Sequence, residues 1–425
     1  MKNPLYWIKR LLWVLTGVAL LVAVFYLEED WRGGRELARV VKDLRDRGEP
    51  MTSAELFQGK PNVDLSKDPV FVDLFAADPF RSEAAPVCRI NLPRPKTSFK
   101  LPRFVGFARG VPYDLKGWSL FFHDGVDSGK PPEQDILDSL SKWESDLASV
   151  AAAVSKDGAR WPVAYERGLE AKIPFTLPAL NVSLVWEQRG IALLATGQTD
   201  AAKGDFMNIA NMAATMRHTP LLVDALFYKT LWVADLGLLW QGLHFHVWKE
   251  KDLIEIESRL ARESPLGAFV ESLQGEQVFC IGSVSTLEKR RWSLAWWMSW
   301  WDREEWDLRP TMLIWCSDGW IKRGAADFLK SLDETSDLAR LRNGRIDDKA
   351  FVPAPRKEED ESLRTALHDL FHATDVFQIG VERSLLSKSI RLETEIRLAR
   401  IACFLERYRL HHGAYPETLA AMVDL

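Results

Sequence analysis

This sequence has little cysteine and no excess of positive charge. Its 425 residues include only four cysteines, and no two of them form a C-x-x-C pair, which excludes a zinc ribbon and a dense disulfide framework. Lysine and arginine together number 55 against 60 aspartates and glutamates, so the net charge is -5. Since a nucleic-acid-binding surface needs an excess of positive charge, nucleic acid is not expected as a partner.

The glycine and serine motifs of the common enzyme folds are absent as well. The sequence contains no G-x-S-x-G, no G-x-x-x-x-G-K-[ST] and no G-x-G-x-x-G, so the scaffolds for acyl transfer and for phosphate binding are missing. Strand and helix patterns do not alternate, which disfavours a Rossmann fold or a barrel. No cofactor is expected. The chain is 47% hydrophobic and carries 18 tryptophans, a composition that predicts a packed core.

One long hydrophobic run lies near the N-terminus. Residues 11–27 carry no charge, and a helix of this length reaches about 25 Å, at the short end of what crosses a bilayer. The sequence therefore predicts a single transmembrane helix with the lipid bilayer as its partner. The residues predicted to lie in the bilayer are Leu11, Leu12, Trp13, Val14, Leu15, Val18, Leu20, Leu21, Val22, Val24, Phe25 and Leu27.

The charges on the two sides of this run have opposite signs. Lysines and an arginine precede it, and Glu28, Glu29 and Asp30 follow it, so the positive-inside rule predicts a cytoplasmic N-terminus and an exported, periplasmic bulk at the cytoplasmic (inner) membrane. A cleaved signal peptide needs small residues before the cut, and the exit of the run is bulky, which favours an uncleaved signal anchor. A buried helix of a soluble fold would leave the opposed charges unexplained.

The rest of the chain divides into two predicted parts after the anchor at residues 1–30. Residues 31–133 are expected to hold short helices, ending near Gly48 and restarting with a Thr52–Glu55 capping box, and then a proline-rich extended arm. Ten prolines between 61 and 132 are too many for helices and too irregular for a central sheet. Residues 134–425 are expected to form an α-helical body.

Helical periodicity dominates this body. The predicted helical segments are 134–156, 179–197, 199–217, 219–247, 250–262, 266–301, 310–332, 359–387 and 389–412. The pair around Gly197 has small residues where its helices would cross, and it is similar to one helical hairpin of the tetratricopeptide (TPR) kind. No second copy follows at a period near 34, so stacked antiparallel helices are expected rather than a repeat array.

A tryptophan-rich stretch stands near the end of the segment 266–301. On a helical wheel, Trp292, Trp296, Trp297, Trp300 and Trp301 cover about half of the circumference. A core helix whose indoles find acceptors is the favoured interpretation. The alternative is an interfacial helix that rests the exported domain on the membrane, motivated by the preference of tryptophan for that layer and by the two arginines before it. A sugar-stacking platform is a third interpretation.

For metal chemistry, the candidate is the pair His368 and His372 with Asp369 between them. Two imidazoles at i and i+4 share a helix face, as in the H-E-x-x-H motif of zinc peptidases. An aspartate is one methylene shorter than the usual glutamate and less suited to reach a metal-bound water, so a solvated surface pair is favoured over catalysis. His244 and His246 form a weaker pair.

Several carboxylates on or beside apolar helices are candidates for inward-facing acids: Glu166, Glu187, Glu271 and Glu276. Buried acids are usually paired with arginine, and Arg167 and Arg189 are adjacent candidates for such pairs. The sequence leaves open whether Cys280 and Cys316 pair.

The C-terminal tail carries a local motif, Glu-Arg-Tyr-Arg-x-x-x-Gly-x-Tyr-Pro-x-Thr-Leu at residues 406–419. It resembles the segment after the long helix of type II secretion pseudopilins, although the processing site of that family is missing. Taken with Trp31-Arg-Gly, Arg47-Gly-Glu-Pro50 and the hairpin at 177–202, the tail is similar to uncharacterised single-pass, N-terminally anchored helical proteins of planctomycete and verrucomicrobial genomes. This resemblance implies an exported, anchored location and supplies no activity; since such proteins usually continue past the motif, it also predicts a truncated C-terminus.

Together these patterns predict a mainly α membrane protein of the cell envelope. Its expected function is that of an interaction or scaffold protein, in which a groove of the helical body binds a peptide or a helix of a protein partner. The first alternative is a membrane-associated metal-dependent hydrolase that uses His368, Asp369 and His372. The second is a secretion-system accessory protein, based on the tail.

Overall fold

The computed structural model of the chain describes residues 4–74, 90, 112–301, 317–339 and 381–418. This part is mainly helical, at 79%, with almost no strand, as the periodicity predicts. The helices are α1 (Pro4–Asp46), α2 (Ser53–Leu56), α3 (Pro69–Leu74), α4 (Leu115–Phe122), α5 (Pro132–Leu140), α6 (Glu144–Val154), α7 (Thr176–Ala195), α8 (Thr199–Arg217), α9 (Leu222–His244), α10 (Glu250–Ala261), α11 (Pro265–Trp301), α12 (Asp318–Ala339) and α13 (Val381–His412). Two short strands, β1 (Val63–Asp64) and β2 (Ala159–Arg160), pair in parallel.

Contacts between residues divide the chain into two compact units. The anchor unit contains Met1–Gln58, Ala164–Ala171 and Leu273–Arg383, and the body unit contains Gly59–Val163, Lys172–Ser272 and Ser384–Leu425. The divisions fall inside α11 and α13, so each unit combines segments that are distant in sequence.

Helix α1 joins two predicted helices into one. The apolar run and the amphipathic stretch that follows it form a continuous helix, Pro4–Asp46, because no proline interrupts the chain between them. The helix ends as predicted at Gly48, which has a φ of 82°. There the Gly48 N–H donates to Arg45 O at 2.9 Å and the Glu49 N–H to Leu44 O at 3.1 Å, the two bonds of a Schellman motif.

Three other predicted helix termini are also confirmed. Thr52 Oγ1 accepts from the Glu55 N–H at 3.2 Å, and the Glu55 carboxylate accepts from the Thr52 N–H at 3.1 Å, so the capping box forms at the start of α2. Gly197, with a φ of 77°, ends α7, and Gly413, with a φ of 76°, follows the end of α13. These signals are local, which is why the sequence alone reveals them.

In the anchor unit, α1 packs along α12 through two glycines. A Cβ atom at Gly33 would lie 2.1 Å from Gly319 O, and one at Gly319 would lie 2.0 Å from Glu29 O. The backbones of the two helices therefore touch at this point, which we call the glycine crossing. Further along both helices, Arg47 pairs with Asp333 at 2.7 Å, so α1 and α12 run in the same direction.

Helix α11 contributes a second close approach in the anchor unit. A Cβ atom at Gly282 would lie 2.3 Å from Tyr165 O, in the 3₁₀ turn Tyr165–Glu170. Cys280, one of the two free cysteines of the described chain, is buried, and its thiol donates to Ala325 O at 3.9 Å. Cys316, its proposed disulfide partner, lies outside the described residues.

The core of the body unit is the set of helices α7, α8 and α9. Helices α7 and α8 follow each other across the turn at Gly197. Gly190 of α7 brings α9 close, since a Cβ atom there would lie 2.7 Å from Leu238. Trp186, Phe206 and Trp232 are completely buried among these helices. Large aromatic side chains thus supply much of the apolar area that stabilises this unit.

The proline-rich region is less extended than the sequence predicts. Helices α3 and α4 lie within residues 61–132. Pro69 occupies the first position of α3, where a proline lacks no hydrogen bond that the helix needs. Helix α4 lies in a stretch without proline, and Asp114 caps its start by accepting from the Gly117 N–H at 2.8 Å. The number of prolines therefore misled the prediction at these two places.

Two predicted helix boundaries in the body also differ from the structure. The segment 134–156 is divided into α5 and α6 by the 3₁₀ turn Ser141–Trp143, where Trp143 is buried. In contrast, the break predicted between 387 and 389 does not exist, because α13 runs without glycine or proline from Val381 to His412. The segment predicted at 310–332 is observed as α12 at Asp318–Ala339, which starts eight and ends seven residues later than predicted. Helices α7 to α11 start and end within about three residues of their predicted bounds.

Candidate functional site

The apolar half of α1 is the first candidate site. It is the one helix in the described part of the chain that is long and apolar enough to span a membrane, with a mean hydropathy of 2.2 and none of that stretch buried. The residues predicted to lie in the bilayer are all exposed, from 42% at Phe25 to 77% at Trp13. So much contiguous exposed apolar surface is unfavourable in water and typical of a lipid-facing helix.

The polar half of α1 begins directly after this surface and is fixed to α12. Glu29 is buried; it accepts from Trp320 Nε1 at 3.0 Å and pairs with Arg323 at 3.1 Å. Asp30 accepts from the Gly319 N–H at 2.8 Å. The acids that the sequence marks as flanking charges therefore also hold α1 in the anchor unit.

The tryptophan-rich segment lies on a helix, as predicted. Helix α11 extends to Trp301 and includes Trp292, Trp296, Trp297 and Trp300 in its backbone. Their side chains lie outside the described residues, so the core and interfacial interpretations both stay predictions at this point.

The candidate metal residues His368, Asp369 and His372 lie outside the described residues. Within the described ranges, no group of three or more His, Cys, Asp or Glu side chains could hold a metal ion. The two histidines of the weaker pair contact different partners. His244 stacks on Trp240 with ring centroids 4.8 Å apart, whereas His246 donates to Glu406 at 3.0 Å. The structure therefore does not bring His244 and His246 together as ligands.

Of the four candidate acids, two are held by polar partners. Glu166 accepts from Ser53 Oγ, and Glu271 forms a two-bond ion pair with Arg217 at 3.0 and 3.2 Å. The suggested arginine partners pair elsewhere. Arg167 lies 3.7 Å from Glu170.

Arg189 binds a carboxylate that the sequence reading did not single out. Its guanidinium donates to both oxygens of Asp205, at 2.5 and 2.9 Å. Burial raises the pKa of Asp205 to about 6, against the opposing effect of Arg189. The expected pairing of Arg189 with Glu187 is therefore wrong, because the nearer partner lies on α8, sixteen residues away.

Glu187 is instead a buried acid that lies near a second one, Asp235. Burial raises the pKa of Glu187 on α7 to about 8. Burial also raises the pKa of Asp235 on α9 well above its ordinary value; Arg259 opposes this rise, and the charges of Glu187 and Glu263 add to it. Among the described residues, neither oxygen of Asp235 has a hydrogen-bond partner. Glu187 is therefore protonated at neutral pH, and burial favours the protonated form of Asp235 as well.

Tyr113, whose pKa is affected by the charge of Glu187, donates hydrogen bonds to two amide side chains. The Tyr113 hydroxyl donates to Gln188 Oε1, and the Tyr113 N–H donates to Gln241 Oε1 at 3.1 Å. Burial, together with the charge of Glu187, raises the pKa of Tyr113 well above its usual range. Acids with raised pKa values are frequent at functional sites. A role in proton transfer would also require that a substrate reach them, and neither Glu187 nor Asp235 lines the pocket of the body unit.

A pocket of about 490 Å³ opens in the body unit, at the C-terminal ends of α6, α8 and α10. Its charged and titratable lining consists of Lys156, Asp157, Arg217, His218, Arg259, Arg262 and Glu263. The two buried acids are not part of that lining. Cations are favoured at helix C-termini, where backbone carbonyls are left unpaired, which accounts for the basic residues here.

Most of these cations already have partners. Arg217 pairs with Glu271, Arg259 donates to Glu263 and to Ala210 O, and Lys156 pairs with Asp68 at 2.6 Å. Arg262 is exposed and forms no ion pair within the described ranges. The pocket therefore presents one uncompensated guanidinium, which suits a carboxylate better than a cation.

The tail motif has a structural use in the body unit. Glu406, which is almost completely buried, accepts from Tyr415 Oη at 2.8 Å, from Arg409 at 2.7 Å and from His246 at 3.0 Å. Burial opposes ionisation of Glu406, but these hydrogen bonds outweigh it and lower its pKa. The first glutamate and the tyrosine of the motif thus hold each other, and the chain after Gly413 folds back on α13.

Comparison with protein-family models, with curated proteins and with solved structures found no match to this chain. Its function is therefore inferred from the residues above. Sequence reasoning missed Asp205, Asp235 and Glu406 as buried acids. The first two lie on apolar helix faces, a pattern that could have found them, whereas Glu406 stands in a run of charged residues that predicts exposure.

Proposed function

We propose that this protein is anchored by α1 in the cytoplasmic membrane, with its N-terminus in the cytoplasm, and that its exported helical bulk serves as an interaction or scaffold protein of the cell envelope. The observation that carries this proposal is the two-part character of α1. Its apolar half is exposed, and its polar half is fixed to α12 by the glycine crossing and by Glu29.

This junction supports a rigid anchor rather than a flexible tether. A separate membrane helix on a loop would leave the following domain free to rotate, whereas α1 crosses from one environment to the other without a break. The ion pair between Glu29 and Arg323 lies within about one helical turn of Leu27. The opposed flanking charges support the orientation, with the basic residues on the cytoplasmic side.

The pocket of the body unit supports the interaction role. It is large enough for a side chain or a chain terminus of a partner, and its free guanidinium favours a carboxylate as the group that enters. We further propose that the α7–α8 hairpin acts as a TPR-like unit beneath this surface, and that the proline-rich segment wraps over the body.

Protease accessibility in intact spheroplasts tests the anchored orientation. The expected result is digestion of the bulk of the chain from outside, with the N-terminal segment protected. A double variant, Leu15→Arg with Leu20→Arg, should leave the membrane, since each arginine near the centre of a spanning helix costs about 3 kcal/mol. Protection of the bulk until the cells are broken would contradict the proposal.

Photo-cross-linking from the pocket tests the interaction role. A photoreactive residue at Asn211, in the pocket lining, should give one discrete adduct with an envelope protein. This adduct should disappear when Arg262→Glu is added and persist when Arg391→Glu is added, because Arg391 is an exposed arginine of α13 outside the pocket. Equal loss in both variants would contradict recognition of a carboxylate at this site.

The two alternatives stay predictions. The hydrolase depends on His368, Asp369 and His372, which lie outside the described residues. For the secretion accessory, the Glu406–Tyr415 bond gives the shared tail motif a role in folding the body unit, which does not require a secretion partner.

A further inference from the structure

Within the anchor unit, α11 runs toward the apolar half of α1. Near its start, Gln274 Nε2 donates to Glu49 Oε2 at 2.9 Å, beyond the C-terminal end of α1. Farther along, Glu288 pairs with Lys322 at 2.7 Å, and Lys322 lies about one turn after the glycine crossing. Helix α11 is therefore antiparallel to α1, and its C-terminal end points to the side on which α1 becomes apolar.

The rise per residue of an α-helix gives the distance by which α11 extends along α1 toward the membrane. From Gln274 to Glu288, α11 advances about 21 Å, similar to the span of α1 between the glycine crossing and Glu49. From Glu288 to Trp301 it advances about 20 Å more. On α1, Leu27 lies only about 9 Å before Gly33. Since Lys322, the partner of Glu288, lies about 5 Å after the glycine crossing, the end of α11 reaches about 6 Å past the level at which the apolar run ends.

That depth corresponds to the boundary between headgroups and acyl chains, into which interfacial helices sink by about 5–10 Å. The segment that leads to this depth, residues 292–301, contains five tryptophans, and Arg290 and Arg291 precede it. Tryptophan is enriched at this layer, and arginine is attracted by anionic lipid phosphates. Composition and position therefore agree at the C-terminal end of α11.

We propose that segment 292–301 of α11 enters the outer headgroup layer of the membrane that α1 crosses, so that the anchor unit contacts the bilayer at two places. The lipid surface is the partner of this segment. A second contact fixes how the anchor unit is oriented on the membrane, which one spanning helix cannot do, because a single helix leaves rotation about its own axis unrestricted. The inference rests on the proposed anchoring by α1.

Site-specific photo-cross-linking to lipid tests this contact in the full-length chain. p-Benzoylphenylalanine replaces Trp296, Trp297, Trp300 or Trp301, one at a time, in vesicles of phosphatidylethanolamine and phosphatidylglycerol. The same probe at Val14 is the positive control. Lys330, whose side chain is 44% exposed on α12 beyond the glycine crossing, is the matched negative control.

A lipid adduct is expected at Val14 and at one or more of the four tryptophan positions, and none at Lys330. An adduct at Val14 with none at the four positions would overturn the second contact and leave the anchoring intact. No adduct at Val14 would overturn the anchoring, and an adduct at Lys330 equal to those at the tryptophans would remove the depth argument.

Tryptophan fluorescence supplies a measurement that does not depend on the probe. Lipids brominated next to the headgroup should quench the emission of the wild-type chain more than that of a variant with Trp296, Trp297, Trp300 and Trp301 all changed to Phe. Trp232→Phe, which removes a fully buried indole of the body unit, should leave the quenched fraction at least as high as in the wild type. The same loss of quenching in both variants would contradict the proposal.

Discussion

Glu29 of the anchor unit and Glu187 and Asp235 of the body unit are buried acids in opposite environments. Glu29 lies beside two groups that can compensate its charge, an arginine and an indole N–H. Burial raises the pKa of Glu187 to about 8 and raises that of Asp235 well above its ordinary value, which favours the protonated form of both. A buried charge needs a compensating partner, and without one the acid keeps its proton. The difference indicates that one acid joins two helices, whereas the other two are tolerated inside a core.

The largest expected effect concerns Glu187 and pH. Because the pKa of Glu187 rises from 4.5 in the unfolded chain to about 8 in the fold, its contribution to stability is fully present below pH 4.5 and is lost as the pH rises toward 8. The variant Glu187→Gln has no carboxyl group to ionise at this position, so its stability should not fall in this way as the pH rises. We expect the variant to be more stable than the wild type by about 4 kcal/mol at pH 8 relative to the difference at pH 4.

Chemical denaturation at the two pH values measures this difference. Glu144→Gln, at an exposed glutamate of the same unit, is the matched control and should change little with pH. A Glu187→Gln variant that loses stability at pH 8 would show that this carboxylate is ionised and paired, and the contrast between the units would fail.

The second prediction tests the anchor side of the comparison. Gly33→Ala places a methyl group against the backbone of α12, and such overpacking should cost up to about 3 kcal/mol. Gly34→Ala is the control, because nothing lies within 4 Å of a Cβ atom there; it should be neutral or slightly stabilising. Thermal unfolding of the full chain in lipid discs measures both. Equal stabilities would mean that α1 does not depend on the glycine crossing.

A smaller effect is expected at Tyr415, where the body unit keeps a buried acid charged. Tyr415→Phe removes one of the hydrogen bonds that lower the pKa of Glu406, and a bond to a charged group contributes about 1.5–3 kcal/mol. Since a lowered pKa stabilises the fold above the unfolded pKa and this effect is lost in acid, the cost should be full at pH 7 and vanish near pH 3. A pH-independent cost, measured by denaturation, would show that Glu406 is not the partner that matters.

The smallest effect is expected from chelators. If the anchored scaffold interpretation is correct, EDTA should leave the unfolding temperature of the purified chain unchanged. One equivalent of bound zinc in the wild-type chain, lost in His372→Ala, would instead support the hydrolase alternative.

The sequence predicted best where the signal was local. Helix α8 was predicted at its observed bounds, and Gly48, Gly197 and the Thr52–Glu55 box mark real helix ends, because caps depend on a few neighbouring residues. The partners of buried acids were predicted poorly. Arg189 binds Asp205 rather than Glu187, since the choice depends on which helices face each other. The same holds for Glu29, which the sequence marks only as one of the charges that flank the apolar run.

By itself, the sequence determined that this chain is mainly helical and carries one N-terminal helix long and apolar enough to span a membrane, because hydrophobicity and helical period are properties of consecutive residues. Only the tertiary structure decided that α1 continues unbroken into the anchor unit, that two glycines seat it against α12, and which acids keep a proton. These features arise from contacts between residues far apart in the chain, and burial and charge compensation exist only once those contacts form.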